Sequence, residues 1–137
     1  MSGHRMKLLI AALAVSVLGI AAGASALEFE QKSNQGQGVT VRVRPLDIAA
    51  GARAWSFEVS LDTHSQELID DFTRSAVLID AGGVARAPLA WDGTAPGGHH
   101  RKGTLRFEAI DPRPAVLEFR LQRPGETAPR VFRWTVR

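Results

Sequence analysis

Apolar side chains recur at every second position along most of the chain beyond residue 26. Leu27 and Phe29 alternate with Glu28 and Glu30. Val39, Val41 and Val43 alternate with Thr40, Arg42 and Arg44, and Trp55, Phe57, Val59 and Leu61 with Ser56, Glu58 and Ser60. The same period returns at Leu105 and Phe107, at Leu117, Phe119 and Leu121, and at Phe132, Trp134 and Val136. Successive side chains of a strand point to opposite faces, so each run makes one apolar and one polar face. A helix of 3.6-residue period would scatter these residues around its circumference. Residues 75–79 form a more continuous apolar run. Residues 84–91 read as a weaker strand interrupted by Pro88, which suggests an edge or a bulge.

The segments between these runs carry turn chemistry. Asp80-Ala81-Gly82-Gly83 signals a hairpin, Asp111-Pro112-Arg113-Pro114 and Arg123-Pro124-Gly125-Glu126 separate the later strands, and 33–38 reads as a flexible turn. Only 65–72 has a helical pattern, with Ser65 as its cap and Leu68, Ile69 and Phe72 on one face. On that helix Asp70 and Asp71 form a solvated face. Seven or eight short strands predict an all-β fold, an immunoglobulin-like antiparallel β-sandwich, with a small barrel as the alternative. Trp55 and Trp134 fall on inward faces. Trp91 ends a strand, as a lid over the end of the core or as a stacking platform for a ligand.

The first 26 residues follow a different order. Arg5 and Lys7 precede an apolar stretch from Leu8 to Ala22, and Ala24-Ser25-Ala26 supplies a small-residue cleavage site. This is the arrangement of a secretory signal peptide. The apolar stretch is short for a membrane span, which needs about 20 apolar residues. Cleavage after Ala26 leaves one domain, 27–137, in the periplasm or secreted. It removes two basic residues and no acid, so the formal charge falls from +3 to +1. Nucleic acid and a membrane surface lose their electrostatic support as partners. The chain has no Cys. Disulfides, thiolate metal sites and lipoprotein anchoring are therefore excluded.

Every histidine of the mature chain lies in one of two loops. The first begins Asp62-Thr63-His64-Ser65. The second runs from Trp91 and Asp92 through Gly97-Gly98-His99-His100-Arg101-Lys102-Gly103. Counting strand directions through the 80–83 hairpin places both loops at one pole, with the 123–129 turn beside them. Imidazole with carboxylate suits Cu(II) or Zn(II), so His64, His99, His100, Asp62 and Asp92 are the metal-ligand candidates. Ser65, Trp91 and Arg101 complete a binding pole. His99 and His100 point oppositely in extended backbone, so one of them faces a common centre. The competing reading makes these side chains a hydrogen-bonded network that ties the loops together. Catalysis finds no support: Asp62, His64 and Ser65 are too close in sequence for triad geometry, and no phosphate-binding loop is present.

The D-T-H-S stretch at 62–65 and the W-x-G…G-G-H-H-R-x-G-x-L-x-F stretch at 91–107 resemble those of a group of uncharacterised exported prokaryotic domains. The likeness covers about residues 39–136. It implies that the two loops work as a unit and implies no reaction. A more distant likeness, to periplasmic copper-binding sandwiches, lacks that group's Met-rich segment and N-terminal ligand histidine. The expected function is thus a non-catalytic binding or accessory module acting on a protein or small ligand in the periplasm. The alternative is a structural or protein-interaction domain. Intact-mass spectrometry of the exported protein is expected to show Leu27 as the first residue. Retention of 1–26 would replace the periplasmic assignment with a membrane anchor.

Overall fold

A computed structural model describes residues 29–136. The leader, its cleavage site and Leu27 lie outside the described residues. Nine strands and one short helix follow in order: β1 Lys32–Gly36, β2 Val39–Asp47, β3 Ala54–Thr63, α1 Phe72–Ser75, β4 Ala76–Ile79, β5 Ala85–Arg86, β6 Ala90–Gly93, β7 His100–Glu108, β8 Val116–Leu121 and β9 Arg130–Thr135. They form two antiparallel sheets, ordered β1-β2-β3-β7-β6 and β5-β4-β8-β9. Setting β1 aside, this is the immunoglobulin connectivity: four strands ordered A-B-E-D face four ordered C′-C-F-G.

The alternation seen in the sequence becomes the core. Along β3 the burial pattern is a strict alternation from Trp55 to Thr63. Phe57 sits at the centre, 5.6 Å from Phe107 and from Phe119 and 6.2 Å from Trp134, so its ring touches residues of both sheets. Trp55 and Trp134 are buried as expected. The indole N–H of Trp55 donates to the carbonyl of Ala49 at 2.9 Å and that of Trp134 to the carbonyl of Glu30 at 2.8 Å, which satisfies the polar end of each ring.

Three local expectations are corrected. Residues 32–36 are a strand, not a flexible turn. As an edge strand β1 needs no apolar face, because its stabilisation is main-chain pairing with β2. The region 84–91 is two strands in different sheets. Pro88 lies where the chain leaves β5, on the edge of one sheet, and crosses to β6, on the edge of the other. Proline lacks the N–H that a paired strand would use. The helix is not 65–72 but 72–75, capped by Asp71, whose carboxylate accepts from the Thr73 N–H at 3.1 Å. Leu68 instead pairs its backbone across to the second loop: its N–H donates to Gly98 O at 2.9 Å and its carbonyl accepts from the Gly97 N–H at 2.8 Å. Ile69, expected on the buried face, is exposed.

Where β6 meets β7, Gly93 stands opposite Gly103. A Cβ on Gly103 would lie 2.5 Å from the Asp92 carbonyl oxygen and 2.6 Å from Gly93 Cα. Both obstacles are backbone and cannot swing aside. Gly103→Ala is therefore expected to cost roughly 1–3 kcal/mol and lower the melting temperature by several degrees. Gly36→Ala, where nothing lies within 4 Å, is the control and should melt close to wild type. Equal melting of the two variants would show that β6 and β7 do not approach this closely.

Candidate functional site

The two loops do meet at one pole. The Thr63 N–H donates to His99 O at 3.0 Å, and Asp62 and His100 are directly paired across β3 and β7. The turn after β8 reaches the same end, through Arg123, and so does the β1–β2 turn, whose Gln37 carbonyl accepts from Gln66 Nε2 at 2.9 Å.

What joins these segments is a set of buried arginines. Arg123 donates through Nε and Nη2 to the two carboxylate oxygens of Asp70, both at 3.0 Å, and the two side chains are 4% and 0% exposed. Such a bidentate pair fits guanidinium to carboxylate geometrically. This corrects the solvated-face reading of Asp70; Asp71 alone stays in solvent. Arg130 binds the Glu126 carboxylate at 2.9 and 2.7 Å and donates to the carbonyls of Asn34, Val39 and Gly36 at 3.1, 2.8 and 2.8 Å. That hydrogen-bonded guanidinium holds Glu126 below the ordinary carboxylate range, with Arg123 adding to the effect.

Arg101 is the third buried arginine among the described residues. Among the described residues no carboxylate forms an ion pair with it. Its Nη1 donates to the backbone carbonyl of Asp70 at 2.6 Å, its Nη2 to Thr94 O at 3.1 Å, and its guanidinium carbon sits 4.4 Å from the Phe72 ring centre and 5.8 Å from that of Trp91. Burial pushes its pKa down while the charges of Asp70 and Asp71 push it back up; the guanidinium stays charged. Trp91 lies over the glycine floor of 93 and 103, 4.4 Å from Phe72, and its indole N–H donates to Thr94 O at 3.0 Å. It packs against the core as a lid. The W-x-G…R-x-G spacing thus encodes a stack: glycines make the slot, tryptophan fills it, and arginine and Phe72 close it.

The remaining candidates separate. Asp62 and His100 point outward on the five-stranded sheet. His100 Nδ1 donates to Asp62 Oδ1 at 2.6 Å, and Arg42 Nη1 donates to Asp62 Oδ2 at 2.7 Å. His64 does not join them. The Ser65 N–H donates to Thr63 Oγ1 at 3.2 Å, and this turn carries residue 64 off the strand. His99 uses its backbone carbonyl on Thr63, and its side chain is exposed. Asp92 pairs with Thr104, four residues along β7 from His100, or about 13 Å at ~3.3 Å per residue. The expected five-residue ligand set is therefore not assembled: among the described residues no three His, Asp or Glu side chains are placed to hold a metal ion. Asp62, His100 and Arg42 instead border a shallow concavity of about 410 Å³ together with Gln31, Glu58, Ser60 and Lys102.

Sequence reasoning placed Arg101 correctly in the pole but missed Asp70, Arg123, Glu126 and Arg130. The spacing of 123, 126 and 130 permits one carboxylate between two arginines, a readable signal. Asp70 carried none. Removing one partner of a buried ion pair costs ~3–5 kcal/mol. Asp70→Asn is expected to lower the melting temperature by more than about ten degrees, and His64→Ala, at an exposed position, by less than about two. Similar losses in the two variants would overturn the assignment of the pole's stability to the arginines.

No protein-family model, curated protein or solved structure matches the chain; its function is read from its own geometry.

Proposed function

We propose that the protein is an exported, non-catalytic binding module. Its recognition surface is the polar concavity on the outer face of the five-stranded sheet, beside the arginine-tied pole. The observation that carries this reading is the Asp62–His100–Arg42 cluster. Asp62 accepts from both neighbours, which orients the imidazole of a largely exposed His100 side chain. Ser60 and Lys102, cross-strand neighbours, add a hydroxyl and an ammonium on the same face. These groups stand on regular strands, and the buried arginines immobilise the loops that flank them. Rigid elements present polar groups at low ordering cost. The mixture of donors and acceptors suits a polar ligand or a polar patch of a protein. Export is supported by the leader order of residues 1–26.

The competing reading is a structural or interaction domain in which the pole only closes the end of the sandwich. The inward placement of Thr63, Trp91 and Arg101 favours it for those residues and not for the outer face.

NMR-monitored titration of the ¹⁵N-labelled protein with Zn(II), inorganic phosphate, acetate and glucose separates the two. At least one probe is expected to shift amides clustered at 40–44, 58–62 and 100–104. An Arg42→Ala/His100→Ala variant should lose the response while melting within about two degrees of wild type, since its two changes are at the surface. No clustered response to any probe, or a strongly destabilised variant, would leave the structural reading in place.

A further inference from the structure

The opposite pole holds a larger concavity, about 590 Å³, between the β4–β5 turn and the segment that follows β7. Its volume is in the range of ligand sites. Ala81, Gly82, Ala85, Ala87 and Ala109 line it with short side chains, leaving room between taller walls at Leu89, Ile110 and Pro112. Its charged residues are Asp80, Glu108, Asp111 and Arg86. Asp80 is already committed: it accepts from the Gly82 and Val84 N–H groups, both at 2.9 Å, and from Arg86 Nε at 3.1 Å. The side-chain carboxylates of Glu108 and Asp111 have no hydrogen-bonded or ion-paired partner among the described residues. Nearby Arg113 donates to the carbonyls of Ile48 and Val136 at 3.0 and 2.9 Å. The groove is thus acidic although the chain as a whole is not, at +3 with residues 1–26 and +1 without them.

Apolar exposure gathers at the same end. Of the five large apolar side chains exposed among the described residues, Leu46, Val84, Leu89 and Val116 stand near this pole and only Ile69 at the other. Of these, Leu89 lines the groove itself and Val84 directly precedes its Ala85, so exposed apolar surface borders the acidic residues. β5, which forms one side, is an edge strand that among the described residues pairs with β4 alone.

We infer that this groove docks a short, extended, basic segment of a partner protein. A Lys or Arg side chain lies over the small-residue floor against Glu108 and Asp111, and its aliphatic neighbours cover Leu89 and Val84. Charge complementarity selects a basic segment over an acidic one, and the apolar walls select a peptide over a free inorganic cation.

NMR-monitored titration of the full mature chain with a five-residue peptide of alternating Val and Lys tests this. Shifts are expected at 81–89 and 108–112, with none from the corresponding Val/Glu peptide. A Glu108→Gln/Asp111→Asn variant should bind the basic peptide about fivefold or more weakly, and Leu89→Ser should weaken it further. Circular dichroism checks that both variants keep the strand signature. Absence of binding, unchanged affinity in the double variant, or equal binding of free spermidine and the peptide would each overturn the proposal. Because the predicted shifts lie at the other pole, failure here is distinguishable from failure of the outer-face reading.

Discussion

Three guanidinium groups removed from water at one end of the sandwich dictate how that end is built. A buried charge is tolerated only when its hydrogen-bonding capacity is met. Two carboxylates, Asp70 and Glu126, are buried with the three arginines, so backbone carbonyls supply the rest: Asn34, Gly36 and Val39 for Arg130, Asp70 and Thr94 for Arg101. Those carbonyls belong to segments far apart in sequence. Satisfying the arginines therefore draws the β1–β2 turn, the 64–71 segment, the 94–99 loop and the turn after β8 into one arrangement. The absence of a regular helix over 65–71 follows, since its backbone is committed across the pole.

A second constraint acts at the β6–β7 junction. Two facing glycines let the strands and the Trp91 ring occupy space that side chains would fill. Trp91 and Phe72 then present aromatic faces to Arg101, which has no carboxylate partner among the described residues and gains cation–π attraction instead. The W-x-G…R-x-G spacing is thereby accounted for largely by packing. Its outward residue His100 is left over, and it is this residue that meets Asp62.

The sandwich thus divides its chemistry by face and by end. One pole is closed and internally satisfied. The outer sheet face beside it carries an oriented imidazole on a regular strand, and the far pole presents two carboxylates that have no partner among the described residues, beside the exposed Leu89. A fold of this type leaves function to its surface, because its interior is filled by two interlocking apolar faces.

Strand identity was legible from the sequence because a half-buried strand imposes a period of two that no other element shares. Turn residues marked most boundaries, and strand direction alone placed the histidine loops at a common pole. Three of the four edge strands were blurred, whereas β9 kept its alternation: β1 is polar throughout, and β5 and β6, each too short to show a period, merged into one weak strand. Their existence depends on a neighbouring strand offering unpaired backbone groups. The burial of Asp70 was equally invisible, because its partner lies 53 residues away and a local pattern cannot distinguish a solvated aspartate from a paired one. Which histidine meets which aspartate was also decided in three dimensions. A register of one residue between β3 and β7 sets His100 against Asp62 and turns His99 elsewhere, and only the packed sheets determine that register.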